Sequence, residues 1–266
     1  MVRDAAWVIL AALGAPCSRR APACRARGAR PSAPCSRRAP QRAVLASSGA
    51  GVGRCPWEVC VEKSARAPEH PDVTLALIAG GRGTRLSGVA KGLLVVESLT
   101  VMERQLALAP LFAEVVLVAN APEPYARFGL RTVPDAIAGK GAPGGVHAAL
   151  GAARTPWVFA VACDMPFVSA EVVRAVLAAR REDVDAVCGE VAGRWEPLLA
   201  VYRARLAGAW GDALAEDPSL RRLLERARTQ VLPESELRAV DPRLRAWVNV
   251  NTHEELALHG VSLPPR

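Results

Sequence analysis

The residues best suited to chemistry lie in one stretch, LIAGGRGTRLSGVAKGLL at residues 77–94, directly after a strand-like run at residues 73–78. The stretch places four glycines ahead of Lys91, together with Arg82 and Arg85. Glycines let backbone N–H groups approach phosphate oxygens without a Cβ in the way, and the cations neutralise phosphate charge. This composition indicates a site for a polyphosphate, as in a nucleotide.

Two familiar phosphate-binding loops are excluded by their spacing. A Walker loop ends in Gly-Lys-Ser/Thr, whereas Lys91 here follows Ala90. A dinucleotide-binding fingerprint needs a third glycine at the position of Leu86. The alternative that composition leaves open is a surface turn rich in Gly and Arg after an edge strand.

Asp164 is the second candidate, because it directly follows the apolar run in WVFAVACDMPF at residues 157–167. A carboxylate at the end of a buried strand is costly to leave unpaired, so it is either capped by backbone donors or neutralised by a cation such as Mg²⁺. The alternative is that Asp164 only caps the turn before Pro166.

Two further groups lie at the ends of predicted strands. Asp135 precedes the glycine-rich stretch GKGAPGGVHAAL at residues 139–150, which offers backbone donors and room for a ring or a sugar. Asn249 and Asn251 are two residues apart at the end of a predicted strand, so their amides would point into one cleft. An ordinary glycine-rich turn, and asparagines that precede a helix, are the alternatives.

The elements that must position these residues follow an alternating pattern, which predicts an α/β fold with parallel strands joined by crossover helices. The predicted strands are residues 73–79, 114–120, 130–133, 157–163, 184–188, 197–202 and 246–250. The predicted helices are residues 99–109, 144–153, 170–180, 203–215 and 219–228. Thr252, with Glu255 three residues on, predicts a capping box that starts a last helix. Because ligands of such sheets bind beyond the carboxyl ends of the strands, the candidates should meet at one edge.

The net charge of +8 lies in the first part of the chain rather than in the predicted sheet. Residues 1–70 contain 12 Lys and Arg and 4 Asp and Glu, so the remaining 196 residues contain 22 of each. The folded part therefore has no basic excess for binding nucleic acid. We expect residues 1–70, rich in Ala, Arg and Pro, to be a disordered extension and residues 71–266 to form the domain.

The apolar runs and the cysteines indicate the cellular compartment in which the protein is expected. The apolar run at residues 5–15 is too short to cross a bilayer, and Asp4 offsets Arg3 where a signal peptide needs positive charge. Five of the seven cysteines lie in the first 60 residues at spacings that match no zinc motif. Cys163 and Cys188 lie in apolar runs, as reduced core cysteines do. We expect a cytoplasmic protein without membrane contact.

At residues 79–94 the chain resembles a known family. The pattern AGG-x-x-x-R-(L/M)-x-G-x-x-K-G-L-L is similar to the signature loop of the molybdenum cofactor guanylyltransferases. Gly-x-Gly-Thr-Arg-Leu is shared with the wider nucleotidyltransferases, including sugar-nucleotide pyrophosphorylases. The gap between Arg85 and Lys91, with Gly-Leu-Leu following, is what resembles the cofactor enzymes.

Three later motifs extend the resemblance over residues 73–258. CDMP at residues 163–166 is similar to the family's metal-binding C-D-x-P, and WVNVNTHE at residues 247–254 to its (F/W)-x-N-(V/I)-N-T-x-E segment. Asp135 and the glycine-rich loop after it resemble a third motif, although Pro143 is displaced by one position.

The resemblance implies a single Rossmann-like nucleotidyltransferase domain with a mostly parallel sheet flanked by helices. It implies transfer of GMP from GTP to the terminal phosphate of molybdopterin that carries molybdenum, with release of pyrophosphate. Mg²⁺ is the implied cofactor. GTP and molybdopterin are the implied substrates, and a molybdenum insertion protein or a molybdoenzyme chaperone is a further candidate partner.

The resemblance also assigns roles to residues. It implies catalytic roles for Lys91, Arg85 and Asp164, with Asp164 as the metal ligand. The residues implied to bind the nucleotide are Ile78, Ala79, Gly80, Gly81, Gly83, Lys91, Asn120, Asp135, Gly141, Gly145 and Asp164. Those implied on the acceptor side are Asn249, Asn251 and Arg222. Asn120 aligns one residue from the family's asparagine, and Arg222 is equally consistent with a solvated helix face.

Two other functions compete with this interpretation. One is another nucleotidyltransferase of the same fold, such as a cobinamide-phosphate guanylyltransferase or a cytidylyltransferase acting on a sugar or alcohol phosphate. The other is a non-catalytic module that binds nucleotide and delivers cofactor. Lys91 and Asp164 argue against the second, because a pure binder has less need of a transition-state cation and a metal.

Overall fold

A computed structural model describes residues 67–80, 88–137, 139–216 and 218–265. The predicted extension up to residue 66 lies outside the described residues, as does the part of the glycine-rich loop at residues 81–87. No helix in the described ranges is long and apolar enough to cross a membrane.

The described residues form ten strands, seven of which make one large sheet. The strands are β1 (His70–Ile78), β2 (Val95–Val96), β3 (Leu99–Thr100), β4 (Phe112–Val118), β5 (Arg131–Val133), β6 (Trp157–Ala162), β7 (Ala186–Val191), β8 (Arg194–Arg203), β9 (Thr229–Leu232) and β10 (Val261–Ser262). The large sheet has the order β5-β4-β1-β6-β8-β7-β9. Strand β8 runs antiparallel to β6 and β7, and the other neighbours are parallel. The predicted α/β fold with a mostly parallel sheet is confirmed.

Helices cover both faces of this sheet, because its central strands are apolar on both sides. The α-helices in the described ranges are α1 (Val101–Leu106), α2 (Gly141–Ala152), α3 (Ala170–Ala178), α4 (Leu206–Ala213), α5 (Leu220–Glu225), α6 (Glu234–Val240) and α7 (His253–His259). Helices α1, α3 and α6 contribute to the core on one face, and α2, α4 and α5 to the core on the other.

A small second sheet, in the order β10-β2-β3, lies with α7 around a third apolar cluster. Leu94, Val250 and Leu256 are buried there. This cluster brings the C-terminal part of the chain next to the segment that contains Lys91.

Two sequence predictions of elements are wrong. Residues 246–250 do not form a strand: a 3-10 helix, Arg245–Trp247, leads into an irregular segment, and the Val250 amide donates to a loop carbonyl at Asp164 (2.9 Å) instead of to a neighbouring strand. Residues 99–109 do not form one helix either. The first two pair with β2, the capping box of Thr100 and Glu103 starts α1 after them, and the helix ends before a 3-10 turn that contains Pro110.

The sequence pattern also missed β9 and α6. Strand β9 is only four residues long, and its side chains are mostly half-buried at the sheet edge, so it shows no apolar run. Helix α6 buries only Leu237, which leaves too few apolar positions for a helical period.

Candidate active site

Four strand ends lie in one row across the large sheet. Ile78 of β1 pairs with Val118 of β4 and with Ala162 of β6, and Val118 in turn pairs with Val133 of β5. The residues two positions beyond the members of this row are Gly80, Asn120, Asp135 and Asp164. Each is a predicted site residue, so the parallel register places at one edge groups that the sequence scatters over 85 positions.

Lys91 makes the central contacts at this edge. It begins a short 3-10 helix, Lys91–Leu93, and its Nζ donates to Asp164 Oδ2 at 2.8 Å and to Asn251 Oδ1. The side chains of Lys91 and Asp164 are 24% and 18% exposed, so the ion pair is partly shielded from water. The fold therefore assembles a cation, a carboxylate and an amide from three distant parts of the chain.

The Asn251 segment is fixed by the start of α7. Glu255 Oε2 accepts from the backbone N–H of Asn251 (2.6 Å) and of Thr252 (3.1 Å), and the Thr252 hydroxyl accepts from the Glu255 N–H, which confirms the predicted capping box. Asn249 lies two residues earlier and is half-buried. Asn251 thus reaches Lys91 from a capped helix start and not from a strand.

Two side chains of α1 hold the turn that contains Asp164. Gln105 Nε2 donates to the carbonyls of Ala162 (2.8 Å) and Met165 (3.2 Å), and Arg104 Nε donates to the carbonyl of Pro166 (3.1 Å). Sequence reasoning missed Gln105, because one buried polar residue on a short helix has no distinctive spacing. Only its complete burial within α1 identifies it.

The backbone beside Lys91 has room only for glycine. A Cβ on Gly92 would lie 2.8 Å from Cε1 of Tyr125, whose hydroxyl accepts from the Gly92 N–H at 3.4 Å. Burial is the main cause of the raised pKa of Tyr125, so its phenol stays neutral. Tyr125 therefore supports the segment that contains Lys91. In the sequence, the glycine of the Lys-Gly-Leu-Leu pattern is the only sign of this contact.

Asn120 and Asp135 bind each other at the ends of β4 and β5. Asn120 Nδ2 donates to Asp135 Oδ2 at 2.8 Å, and the Asp135 N–H donates back to Asn120 Oδ1 at 2.9 Å. Asn120 is exposed at the edge, and Asp135 is half-buried there. The one-residue offset noted in the sequence therefore does not remove Asn120 from this edge.

Helix α2 approaches the same edge through glycines. A Cβ on Gly145 would lie 3.0 Å from Cγ2 of Ile78 and 3.6 Å from Asp135 Oδ1. Gly141, the first residue of α2, has a φ of +57°, which favours glycine. The predicted Gly141 and Gly145 thus allow the helix to start close to the strand ends.

A model of the MobA-like NTP transferase domain matches residues 75–231, which is more than half of the chain and includes all four strand ends of the row. The chain belongs to this family. The resemblance seen in the sequence is confirmed, and the protein is a nucleotidyltransferase.

Relatives of this MobA-like NTP transferase have consistent names. The probable molybdenum cofactor guanylyltransferase of Peptoclostridium acidaminophilum is 35% identical over 190 residues, which cover 68% of this chain and 85% of that protein. The molybdenum cofactor guanylyltransferase of Desulfosudis oleivorans is 30% identical over 186 residues, covering 69% and 92%. A solved structure, molybdopterin-guanine dinucleotide biosynthesis protein A from Archaeoglobus fulgidus, matches with a TM-score of 0.61 and 26% identity over 70% of this chain and 96% of that chain.

Asp164 in this MobA-like chain has one carboxylate oxygen engaged and one available. Oδ2 accepts from Lys91, whereas Oδ1 is buried and has no hydrogen-bonding partner in the described ranges. No backbone N–H of the described residues donates to this carboxylate, so it does not act as a turn cap there. A buried anionic oxygen without a donor fits a hard cation. The described ranges contain no group of three or more His, Cys, Asp or Glu that could hold a metal without help from a substrate.

Burial raises the pKa of two ionisable groups at this edge of the sheet. Burial, and then the nearby Asp164, raises the pKa of the Cys163 thiol, so this cysteine is not poised to ligate a metal. Burial also raises the pKa of Glu196, with Arg194 acting in the opposite sense. Because β8 is antiparallel to β6, with Leu199 paired to Val161, the 194–198 segment lies at the same edge of the sheet as Asp164.

The remaining predicted residues are placed as follows. Gly81, Gly83 and Arg85 lie outside the described residues. Arg222 is exposed on α5, and within the described ranges its side chain forms no hydrogen bond or ion pair with Lys91, Asp164 or Asn251. Its neighbour Arg221 is the one that stacks on the 194–198 segment, with its guanidinium 4.8 Å from the Trp195 ring centroid.

Proposed function

We propose that this protein transfers GMP from GTP to the terminal phosphate of molybdopterin that carries molybdenum, forming the guanine dinucleotide cofactor and pyrophosphate. The observation that carries the proposal is the contact of Lys91 with Asp164 and Asn251 at the row of strand ends. Membership of the MobA-like family and the guanylyltransferase names of the relatives support it.

The reaction exchanges one bond to phosphorus for another. A phosphate oxygen of the acceptor attacks the α-phosphorus of GTP, and the bond from that phosphorus to the bridging oxygen breaks, so that pyrophosphate leaves with the electron pair. The Lys91 ammonium is already fixed by Asp164 and Asn251, so it can neutralise developing charge with little reorganisation. Arg85 is proposed for the triphosphate, as the family motif implies.

Asp164 is the residue we propose to hold Mg²⁺, through the oxygen that Lys91 leaves unpaired. When bound, the metal would supply positive charge that reduces the repulsion between the two anionic substrates. One carboxylate is enough for such a site, because Mg²⁺ at nucleotide sites is bound by one or two carboxylates together with substrate phosphates and waters.

The nucleotide is proposed to lie along β1, β4 and β5. Backbone groups of Ile78, Ala79 and Gly80 would face the guanine, and Asp135, held by Asn120, would contact the ribose. The close approach of α2 leaves its first turn, with Gly141 and Gly145, beside the same strand ends.

The acceptor is proposed to lie on the other side of Lys91, where Asn251 and Asn249 approach from the start of α7. Arg222 remains a prediction for this side. A molybdenum insertion protein or a molybdoenzyme chaperone as partner, and a cytoplasmic location, also remain predictions.

The test is to incubate the purified protein with each of the four labelled nucleoside triphosphates and Mg²⁺, with and without molybdate-loaded molybdopterin. We expect pyrophosphate release and a dinucleotide product with GTP and molybdopterin together. Transfer from CTP, or from GTP only to cobinamide phosphate, would favour another member of the fold. GTP binding without transfer to any acceptor would favour a delivery module.

A further inference from the structure

The turn at residues 162–166, which starts at the last residue of β6 and leads to α3, has most of its backbone carbonyls occupied. Gln105 Nε2 donates to the carbonyls of Ala162 and Met165, at 2.8 and 3.2 Å. Arg104 Nε donates to the carbonyl of Pro166 at 3.1 Å. Two consecutive residues of α1 therefore hold three carbonyls on both sides of Asp164.

The carbonyl of Asp164 itself is also taken. It accepts from the backbone N–H of Val250 at 2.9 Å, next to Asn251. The turn is thus fastened to α1 on one side and to the segment before α7 on the other. Because the backbone of Asp164 is fixed in this way, its carboxylate has little freedom to shift toward either Lys91 or a cation.

Gln105 is the buried member of this arrangement. It is 1% exposed, and both N–H groups of its amide are used on the turn, whereas its Oε1 has no hydrogen-bonding partner in the described ranges. An amide in the core of a domain costs free energy to desolvate, and here only its donor side is compensated. An apolar residue of the same size would avoid the unpaired Oε1 but would leave the carbonyls of Ala162 and Met165 without their side-chain donor, so what the glutamine contributes is its hold on this turn.

We propose that Gln105 is a positioning residue, which fixes the turn so that Asp164 keeps Oδ1 for a cation while Oδ2 stays on Lys91. This inference rests on the proposed function, because it assumes that Asp164 holds a metal. Groups that orient a metal ligand commonly change metal affinity by about 10- to 100-fold when they are removed. Gln105 acts on the ligand through the backbone that carries it.

The first test replaces Gln105 with methionine, which keeps the length and removes both donors. Mn²⁺ affinity of the full chain is measured by electron paramagnetic resonance in the presence of GTP, and GTP affinity is measured without metal. We expect Gln105→Met to weaken Mn²⁺ binding by about tenfold or more, with little change in metal-free GTP binding. Turnover at low Mg²⁺ should fall and be restored in large part by a higher Mg²⁺ concentration.

The matched control is Leu106→Ala on the same helix. Leu106 is part of α1 and packs against the core, but its side chain cannot hydrogen-bond to the turn, so its loss should lower the melting temperature and leave Mn²⁺ affinity unchanged. If Gln105→Met lowers the melting temperature but binds Mn²⁺ as tightly as the parent, Gln105 has only a structural role and the inference is overturned.

A second variant keeps the inference testable if Gln105→Met does not fold. Arg104→Met removes the donor to Pro166 from a partly exposed position, so it should fold and weaken Mn²⁺ binding by a smaller factor. Parent-like affinity in Arg104→Met, when Gln105→Met is unfolded, would count against positioning of the turn by α1.

Asp164→Asn separates this inference from the proposed function. If Asp164→Asn binds Mn²⁺ with GTP as tightly as the parent does, the metal assignment fails, and the inference about Gln105 fails with it. If Asp164→Asn loses Mn²⁺ and Gln105→Met does not, the metal assignment stands and only the positioning role of Gln105 is overturned.

Discussion

Lys91 is held before any substrate arrives. Among the described residues it is the cation on the Asp164 carboxylate, and its second contact, with Asn251, fixes the direction of the ammonium group. A positive charge that is placed in advance stabilises a transition state more than one that must be moved into place. The ion pair is only partly exposed, so water screens it less than a surface pair.

Lys91→Ala should lower kcat/KM for guanylyl transfer by about 10²-fold or more, which is the scale for removing one charge-stabilising donor. GTP affinity should fall much less, because the charge that Lys91 meets develops mainly in the transition state. Steady-state kinetics and equilibrium GTP binding, measured on the same preparation, give the comparison.

A charge-matched control is Arg181→Ala. Arg181 is an exposed cation that pairs with Asp183 away from the strand ends, so parent-like kinetics are expected. Equal losses of GTP affinity and of kcat/KM in Lys91→Ala would make Lys91 a simple binding group.

At the scale of elements, the 3-10 helix that begins with Lys91 depends on its contact with Tyr125. Gly92 is buried against that ring, and a Cβ there would lie 2.8 Å from Cε1. Tyr125 is itself 5% exposed and cannot move away without opening the core. The position of Lys91 is therefore set by the packing of its element as well as by its ion pair.

Gly92→Ala should reduce the free energy of unfolding by about 1–3 kcal/mol, the usual range for forcing an extra carbon into a packed core. It should also lower kcat, because relief of the clash shifts the backbone that carries Lys91. Denaturant unfolding and turnover measure the two effects.

Gly208→Ala provides the control for Gly92→Ala. Gly208 is exposed within α4 and has no atom within 4 Å of an added Cβ, so this change should be neutral or stabilising by about 0.5–1 kcal/mol. Stability of Gly92→Ala equal to that of the parent would show that Tyr125 does not constrain this segment.

At the scale of the whole molecule, the sequence predicts the site edge well because the parallel strands are marked by burial on both faces. Asp164 follows such a strand, whereas Asp135 follows the half-buried edge strand β5, and their positions two residues past one row follow from the register. Asn251 was predicted at the site for a partly wrong reason. It reaches Lys91 because α7 and the small sheet carry it there, and no periodicity in residues 246–250 encodes that path.

Contacts that depend on tertiary packing could not be predicted. Gln105 and Tyr125 are single buried polar residues whose partners are backbone groups far along the chain. Their types and spacing are those of ordinary core positions, so only the folded geometry distinguishes them. The reversal of β8, which brings Glu196 to the edge of the sheet where Asp164 lies, has a local cause instead. Ala192 and Gly193 join β7 to β8 as a two-residue hairpin turn, which is too short for a crossover helix.

The central claim is that Asp164 holds Mg²⁺ for guanylyl transfer, and Asp164→Asn tests it most directly. Asparagine keeps the shape of the side chain and removes the negative charge that a hard cation needs. The measurement is pyrophosphate release from GTP with molybdate-loaded molybdopterin across a magnesium titration, with circular dichroism to verify folding. We predict that the variant folds and shows no magnesium-dependent transfer. Near-parent rates at ordinary magnesium concentrations would contradict the metal assignment, and parent activity with another triphosphate but not with GTP would contradict the guanylyltransferase assignment.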